Sequence, residues 1–245
     1  MEERIAAQVH EIFTSIEGEG LFAGRPSTFV RFSGCNLECS YCDTGYARKS
    51  GGSALVDDNG TALEIANPVA LDAMVALLGE RLSAAPTVVF TGGEPLLQPA
   101  FLGQAAGRLK RLGFAIHLET NGTLPDALRE VKEAIDFISM DVKLPSALGG
   151  RRLFDAHHDF LKTAEGRAAA VKVVLTDKSG DAEISEAIDI VASVNRFLPL
   201  LLQPAFEDLR PAVPPELVFR ALAAARRKLN DVRVSIQMHK VLGVR

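Results

Sequence analysis

The sequence predicts an α/β fold built on a parallel-stranded sheet or partial barrel, and three observations carry that reading. Short β-rich apolar runs alternate with longer stretches of helical periodicity. The central runs, such as Val88-Val89-Phe90 and Val171–Leu175, are close to continuously apolar, as strands covered on both faces are. The β-α alternation also persists from Thr87 to the C-terminal region, the connectivity that parallel sheets require.

Strands are expected at Val9–Phe13, Thr28–Phe32, Thr87–Thr91, Ala115–Glu119, Phe137–Val142, Val171–Leu175, Leu198–Leu202 and Val232–Ile236. Helices are expected between them at Val69–Leu82, Ala100–Leu112, Leu124–Ala134, Phe154–Thr163, Ala182–Asn195 and Pro215–Leu229. Residues 49–67 break the rhythm. Gly51-Gly52 and Asp57-Asp58-Asn59-Gly60 mark a surface excursion holding one hairpin. No linker or low-complexity tract divides the chain, so residues 1–245 read as one domain.

Composition narrows the class of function. The 245 residues are 47% hydrophobic and 24% charged, with 27 basic against 31 acidic side chains and a net charge of −4. That balance belongs to a folded globular chain. A pI near 5.8 and the absence of a basic stripe argue against nucleic-acid binding. No apolar run reaches membrane-spanning length. The opening Met1-Glu2-Glu3-Arg4 lacks the order of a secretory signal. A cytoplasmic protein is expected.

The most informative feature is the cysteine distribution. Cys35, Cys39 and Cys42 are the only three and lie within eight residues, spaced C-x3-C-x2-C. An odd, clustered set argues against a disulfide framework. Short spacings let thiolates from one loop converge on a metal centre. Four cysteines normally hold an iron–sulfur cubane, so three leave one iron open to an exogenous ligand. Zinc with a distant histidine as fourth ligand, or plain reduced thiols, are the alternatives.

Several strands end in compact polar motifs, on the rim where parallel α/β proteins bind ligands. These are Ser33-Gly34-Cys35, Thr91-Gly92-Gly93-Glu94-Pro95, Glu119-Thr120-Asn121-Gly122, Ser139-Met140-Asp141-Val142-Lys143, Gln203-Pro204 and Gln237-Met238-His239-Lys240. Singly, each reads as a turn, a strand stop or a local ion pair. Together with the thiols they define a candidate site. Gly92 and Gly93, lacking Cβ atoms, would let backbone approach a ligand. Glu94 would accept from an ammonium or hydroxyl, and Lys143 would complement a carboxylate.

The cysteine loop, with Tyr41 before its last thiol, followed by Gly92-Gly93-Glu94-Pro95, resembles the radical S-adenosylmethionine (SAM) superfamily. The resemblance implies a partial (β/α) barrel of that type, with a [4Fe–4S] cluster on Cys35, Cys39 and Cys42 and SAM on the open iron. It further implies cofactor contacts from Tyr41, Cys42, Asp43, Gly93, Glu94, Asn121, Ser139, Asp141, Lys143 and Gln203.

Within the superfamily, Ile12 through Gly20, Arg31-Phe32-Ser33-Gly34-Cys35, Cys42-Asp43-Thr44 and Gln237 through Arg245 are similar to the 7-carboxy-7-deazaguanine synthases. That resemblance implies a carbon–nitrogen lyase of queuosine biosynthesis, which converts 6-carboxy-5,6,7,8-tetrahydropterin to 7-carboxy-7-deazaguanine with ring contraction and loss of ammonia. It assigns the cluster to loop 33–44, substrate capping to tail 237–245, and pterin contacts to Ile16, Glu17, Gly18, Glu19, Arg31, Thr91, His239 and Arg245. It places Mg²⁺ on Thr44. Glu17 departs from the pattern, since many members carry Gln there. A homodimer and an electron donor such as flavodoxin or ferredoxin are also implied. Arg31 is independently suited to a carboxylate, because its planar fork matches that geometry. The competing readings are a glycyl-radical-enzyme activase, which shares the thiol loop, and a non-catalytic zinc-binding protein.

Overall fold

The computed structural model describes residues 5–58, 61–207 and 209–244. In chain order the strands are β1 (Ala6–Ala7), β2 (Val9–Ile16), β3 (Pro26–Phe32), β4 (Ser53–Asp58), β5 (Thr61–Ala66), β6 (Val69–Ala70), β7 (Thr87–Gly92), β8 (Ala115–Thr120), β9 (Phe137–Val142), β10 (Ala168–Leu175), β11 (Leu200–Pro204), β12 (Phe206–Glu207), β13 (Arg210–Pro211) and β14 (Val232–Val234). The helices are α1 (Leu71–Gly79), α2 (Pro99–Arg111), α3 (Pro125–Val131), α4 (Phe154–Ala164), α5 (Asp181–Val194), α6 (Pro215–Arg226) and the short α7 (Met238–Leu242).

Among the described residues, ten strands form one sheet in the order β14-β11-β10-β9-β8-β7-β3-β2-β4-β5. From β3 to β14 all neighbours run parallel. The edge strands β14 and β5 stay apart, so the barrel is partial. The excursion after the thiol loop folds as the antiparallel β4–β5 hairpin, added to the sheet through a parallel pairing with β2.

Consecutive helices α1 to α6 pack against one another along one face of the sheet. Strand alternation sends Val30, Phe32, Val88, Phe90, Ile116, Leu118, Ile138 and Met140 into that helix-covered core. Burying each such side chain contributes about 1.5–3 kcal/mol. Among the described residues the opposite face carries a small separate apolar cluster, Phe13, Phe29 and Val89. Elsewhere on it, period-two alternation presents Arg31, Thr91, Glu119, Ser139, Asp141 and Lys172 to a cavity.

The expected elements shift for identifiable reasons. Val69–Ala70, expected as the first turn of α1, instead pairs with Ala6–Ala7 as β6. The helix expected through Ala134 ends at Val131 and tightens into a 3-10 turn at Lys132–Ala134. β11 starts at Leu200, after Pro199, whose ring nitrogen has no proton to donate to a ladder. Among the described residues no helix is long and apolar enough to cross a membrane.

Candidate active site

The thiol loop leaves the end of β3 and is pinned along its length. Gly34 N–H donates to the Ala47 carbonyl at 2.9 Å, Ser40 N–H to the Ala147 carbonyl at 2.9 Å, and Cys42 N–H to the Cys39 carbonyl at 3.2 Å. Asn36 donates to Thr123 and accepts from the Asn121 amide, tying the loop to the segment after β8. Cys35 and Cys39 are half-buried and Cys42 is exposed, all three as free thiols. Burial pushes the Cys35 and Cys39 thiols above their ordinary range. No group of three His, Cys, Asp or Glu among the described residues is placed to hold a single metal ion. The donor set itself, three soft sulfurs on one loop at the wall of a cavity, fits an iron–sulfur cluster.

The diglycine has a reason different from the one its sequence suggests. A Cβ on Gly92 would lie 2.4 Å from the backbone of Phe32, and one on Gly93 would lie 1.9 Å from the Gly34 carbonyl oxygen. Gly93 N–H donates to Phe32 and Glu94 N–H to Gly34. The missing side chains let β7 press against the entry of the thiol loop. Both glycines also line the cavity.

The cavity encloses about 480 Å³. Of the residues singled out by sequence, Ile16, Gly18, Glu19, Arg31, Cys35, Cys39, Tyr41, Cys42, Asp43, Thr44, Thr91, Gly93, Asn121, Ser139, Asp141, Lys143, Gln203 and His239 form its wall. Glu94 and Glu17 do not. The wholly buried Glu94 carboxylate accepts from Leu96 N–H, Thr120 Oγ1 and Asn121 N–H, and burial pushes its pKa up to about 7. Glu17 turns away to Ser27 Oγ at 2.8 Å and to His117 Nδ1 at 3.1 Å. The latter contact is close enough for charge attraction but not aligned as a hydrogen bond, leaving Nδ1 without one. His117 Nε2 lies 2.8 Å from Ser139 Oγ. Arg245 lies outside the described residues.

On one wall, Arg31 Nε donates to Glu11 Oε1 at 2.7 Å, and the same oxygen accepts from the Tyr46 hydroxyl at 3.1 Å. Thr91 Oγ1 donates to Glu119, whose buried carboxyl is pushed upward in pKa by desolvation. Across the cavity, Lys143 Nζ meets Asp141 Oδ2 at 2.6 Å and lies 5.4 Å from the centre of the Tyr41 ring. Burial pushes Tyr41 up to about 12, so it stays neutral. Thr44 Oγ1 is 3.8 Å from Cys42 Sγ.

Residues 237–244 fold back over the cavity. Met238 N–H donates to the Gly18 carbonyl at 2.7 Å, and a Cβ on Gly18 would strike the His239 ring at 1.9 Å. Lys240 and Gln237 both reach Asp43 Oδ2, at 3.0 and 3.2 Å. Burial opposes ionisation of Asp43, but these two partners hold its pKa below the usual carboxylate range.

Sequence reasoning missed Lys172, His117 and Glu11 as site-supporting residues, and named Glu119 only as the start of a strand-end motif. The usable signal was period-two polarity: each is an ionisable side chain inside a strand, and such a group is buried only with partners.

A parallel sheet with a three-thiol loop at the wall of its cavity defines the radical SAM class, and the model of the "Radical SAM superfamily" matches residues 29–175. Among curated relatives, a "7-carboxy-7-deazaguanine synthase" of Geobacter sulfurreducens is 37% identical, covering 97% of each chain. That of Methanopyrus kandleri is 38% identical over 96% of this chain and 92% of the relative. The "Crystal structure of QueE from Escherichia coli" superposes with a TM-score of 0.63 at 22% identity, covering 95% and 94% of the two chains. The chain belongs to the 7-carboxy-7-deazaguanine synthase family within the radical SAM superfamily. It is a radical SAM lyase of 7-deazapurine biosynthesis, a class that works with a [4Fe–4S] cluster and SAM.

Proposed function

We propose that this chain converts 6-carboxy-5,6,7,8-tetrahydropterin to 7-carboxy-7-deazaguanine, with ring contraction and loss of ammonia. The observation that carries the reading is one cavity whose wall holds the three thiols together with Arg31, Glu19 and His239. Cys35, Cys39 and Cys42 would hold the cluster, and Lys143, Asp141, Ser139, Asn121 and Gln203 would surround SAM. When bound, cluster and SAM supply one-electron, hydrogen-abstracting chemistry.

The chain's own residues bind, orient and shield. Arg31, anchored through Nε, keeps its two terminal nitrogens for the substrate carboxylate. Glu19, held from behind by Lys172 and Gln203, presents its carboxylate to N–H donors of the pyrimidinone edge. Gly18 and His239 form the floor and cap of that end. Glu17 and Glu94 serve from behind the wall: Glu17 orders His117, and Glu94 orders Thr120 and Asn121. Mg²⁺ would sit on Thr44, beside the last thiol. We further propose a cytoplasmic homodimer reduced by a flavodoxin- or ferredoxin-type donor; the exposed Val234 on edge strand β14 supports self-association.

Anaerobic reconstitution with iron and sulfide, followed by turnover with SAM, a reductant and the carboxylated pterin, tests the reading. The expected result is a deazapurine product with one ammonia released. Tight zinc binding without a brown cluster, or hydrogen transfer from a protein substrate and not from the pterin, would reverse it.

A further inference from the structure

Lys172 projects from the middle of β10, in register with Asp141 on β9. Its ammonium donates to Glu19 Oε1 at 2.7 Å and lies 3.3 Å from Asp141 Oδ1. The other oxygens of those carboxylates are taken as well: Gln203 donates to Glu19 Oε2, and Lys143 to Asp141 Oδ2. Only 16% of the Lys172 side-chain surface is exposed. Burial works against its charge, yet Asp141 and Glu19 outweigh that cost and hold the ammonium above the ordinary lysine range.

One cation therefore joins two groups on the cavity wall. At one end of this charged chain stand Asp141, Lys143 and Tyr41; at the other stand Glu19 and Gln203. We propose that Lys172 is a positioning residue that couples occupancy of the two ends, so that a ligand at Glu19 strengthens binding of an anionic group beside Lys143. The proposal rests on the function proposed above.

The physical sequence is short. A ligand whose N–H groups donate to Glu19 draws that carboxylate's charge away from Lys172. The ammonium then leans more fully on Asp141, the carboxylate that it shares with Lys143. Asp141 holds Lys143 less tightly, and the freed Lys143 donors can meet an incoming carboxylate. Coupling through a shared charge is reciprocal, so each ligand must tighten the other by the same factor.

The test is equilibrium binding with no turnover. Oxidised, reconstituted holoenzyme is titrated anaerobically with SAM, with and without the carboxylated pterin, and then in the reverse order. Wild type should show mutual tightening of about fivefold or more. In Lys172→Met the factor should fall to within about twofold of unity, and Lys172→Arg should restore part of it. Glu19→Gln, which leaves Lys172 on Asp141 whether or not the pterin is present, should bind SAM alone about fivefold more tightly than wild type does and gain no further tightening from the pterin. If Lys172→Met melts before it can be titrated, the Arg and Gln variants decide the matter by the same criterion.

Independent binding of the two ligands to wild type, or wild-type coupling in Lys172→Met or Glu19→Gln, overturns the proposal. Wild type that binds SAM but no pterin is a distinct result. It removes the substrate reading, and the coupling falls with it.

Discussion

Gly93 stands so close to Gly34 that a methyl group on the first would lie 1.9 Å from the carbonyl oxygen of the second. Because that oxygen also accepts from Glu94 N–H at 2.8 Å, β7 and the entry to the thiol loop are effectively one unit. Gly93→Ala should therefore disturb the loop from behind, without touching a sulfur. Overpacking of this kind costs about 1–3 kcal/mol, and here the opposing atom is backbone. The expected outcome is a lower melting temperature and a reduced iron-to-protein ratio after reconstitution. Wild-type values for both would mean that the loop moves freely past β7.

Arg31 depends on Glu11 for its direction. Removing the carboxylate with Glu11→Ala leaves the guanidinium without its Nε partner, free to collapse onto the Phe13 ring 5.7 Å away. A clamp on the substrate carboxylate that loses its orientation should raise KM for the pterin about tenfold, with kcat little changed, since uniform binding is what is lost. Affinity for SAM should stay as it was. A fall in kcat at constant KM would show that Glu11 acts on the reaction rather than on Arg31.

Thr44 Oγ1 lies 3.8 Å from the Sγ of the last thiol, and the proposed Mg²⁺ would sit on that hydroxyl. Thr44→Ala should weaken the Mg²⁺ dependence of turnover about tenfold or more while leaving cluster assembly intact, as removal of one oxygen ligand from a hard cation does. An unchanged Mg²⁺ titration would overturn the proposed site on Thr44.

Two buried groups pull the pH dependence of stability in opposite directions. Burial lifts Glu94 from 4.5 to about 7. Between those values the folded chain keeps a proton that the unfolded chain has released, so its contribution to stability falls as pH rises. Burial drags His157 from 6.5 down to about 4. There the unfolded chain keeps the proton that the folded chain has lost, so stability rises with pH over that window. Each effect is bounded by about 1.4 kcal/mol per pH unit. Urea unfolding between about pH 5 and 6.5 should show His157→Gln losing stability relative to wild type as pH rises, and Glu94→Gln gaining it. Parallel curves for all three proteins would contradict both assignments.

What the sequence made legible was local. The thiol spacing, the strand ends and the Gly-rich hairpin are signals within a few residues, and each stands where its chemistry placed it. Direction was not legible. Glu17 and Glu94 sit in the right motifs, yet their carboxylates point behind the wall to His117, Thr120 and backbone amides. A motif names a neighbourhood, while side-chain orientation follows from pairing register and packing. Lys172 was hidden differently. Inside Val171–Leu175 it looks like an interruption of an apolar run, and its meaning appears only when register sets it opposite Asp141. The diglycine was read as room for a ligand, and the structure shows that room filled first by the chain itself.

The shared direction of β3, β7, β8, β9, β10, β11 and β14 gathers the site residues described above on one rim, away from the turns that lead into those strands. In the turn that leads from α4 into β10, Gly166 has φ +84° and must stay glycine, while Glu165 beside it is exposed to solvent and free to be replaced. That turn is a natural attachment point for a fluorophore or an immobilising peptide, which would report on the molecule or tether it without obstructing the chamber on the far side.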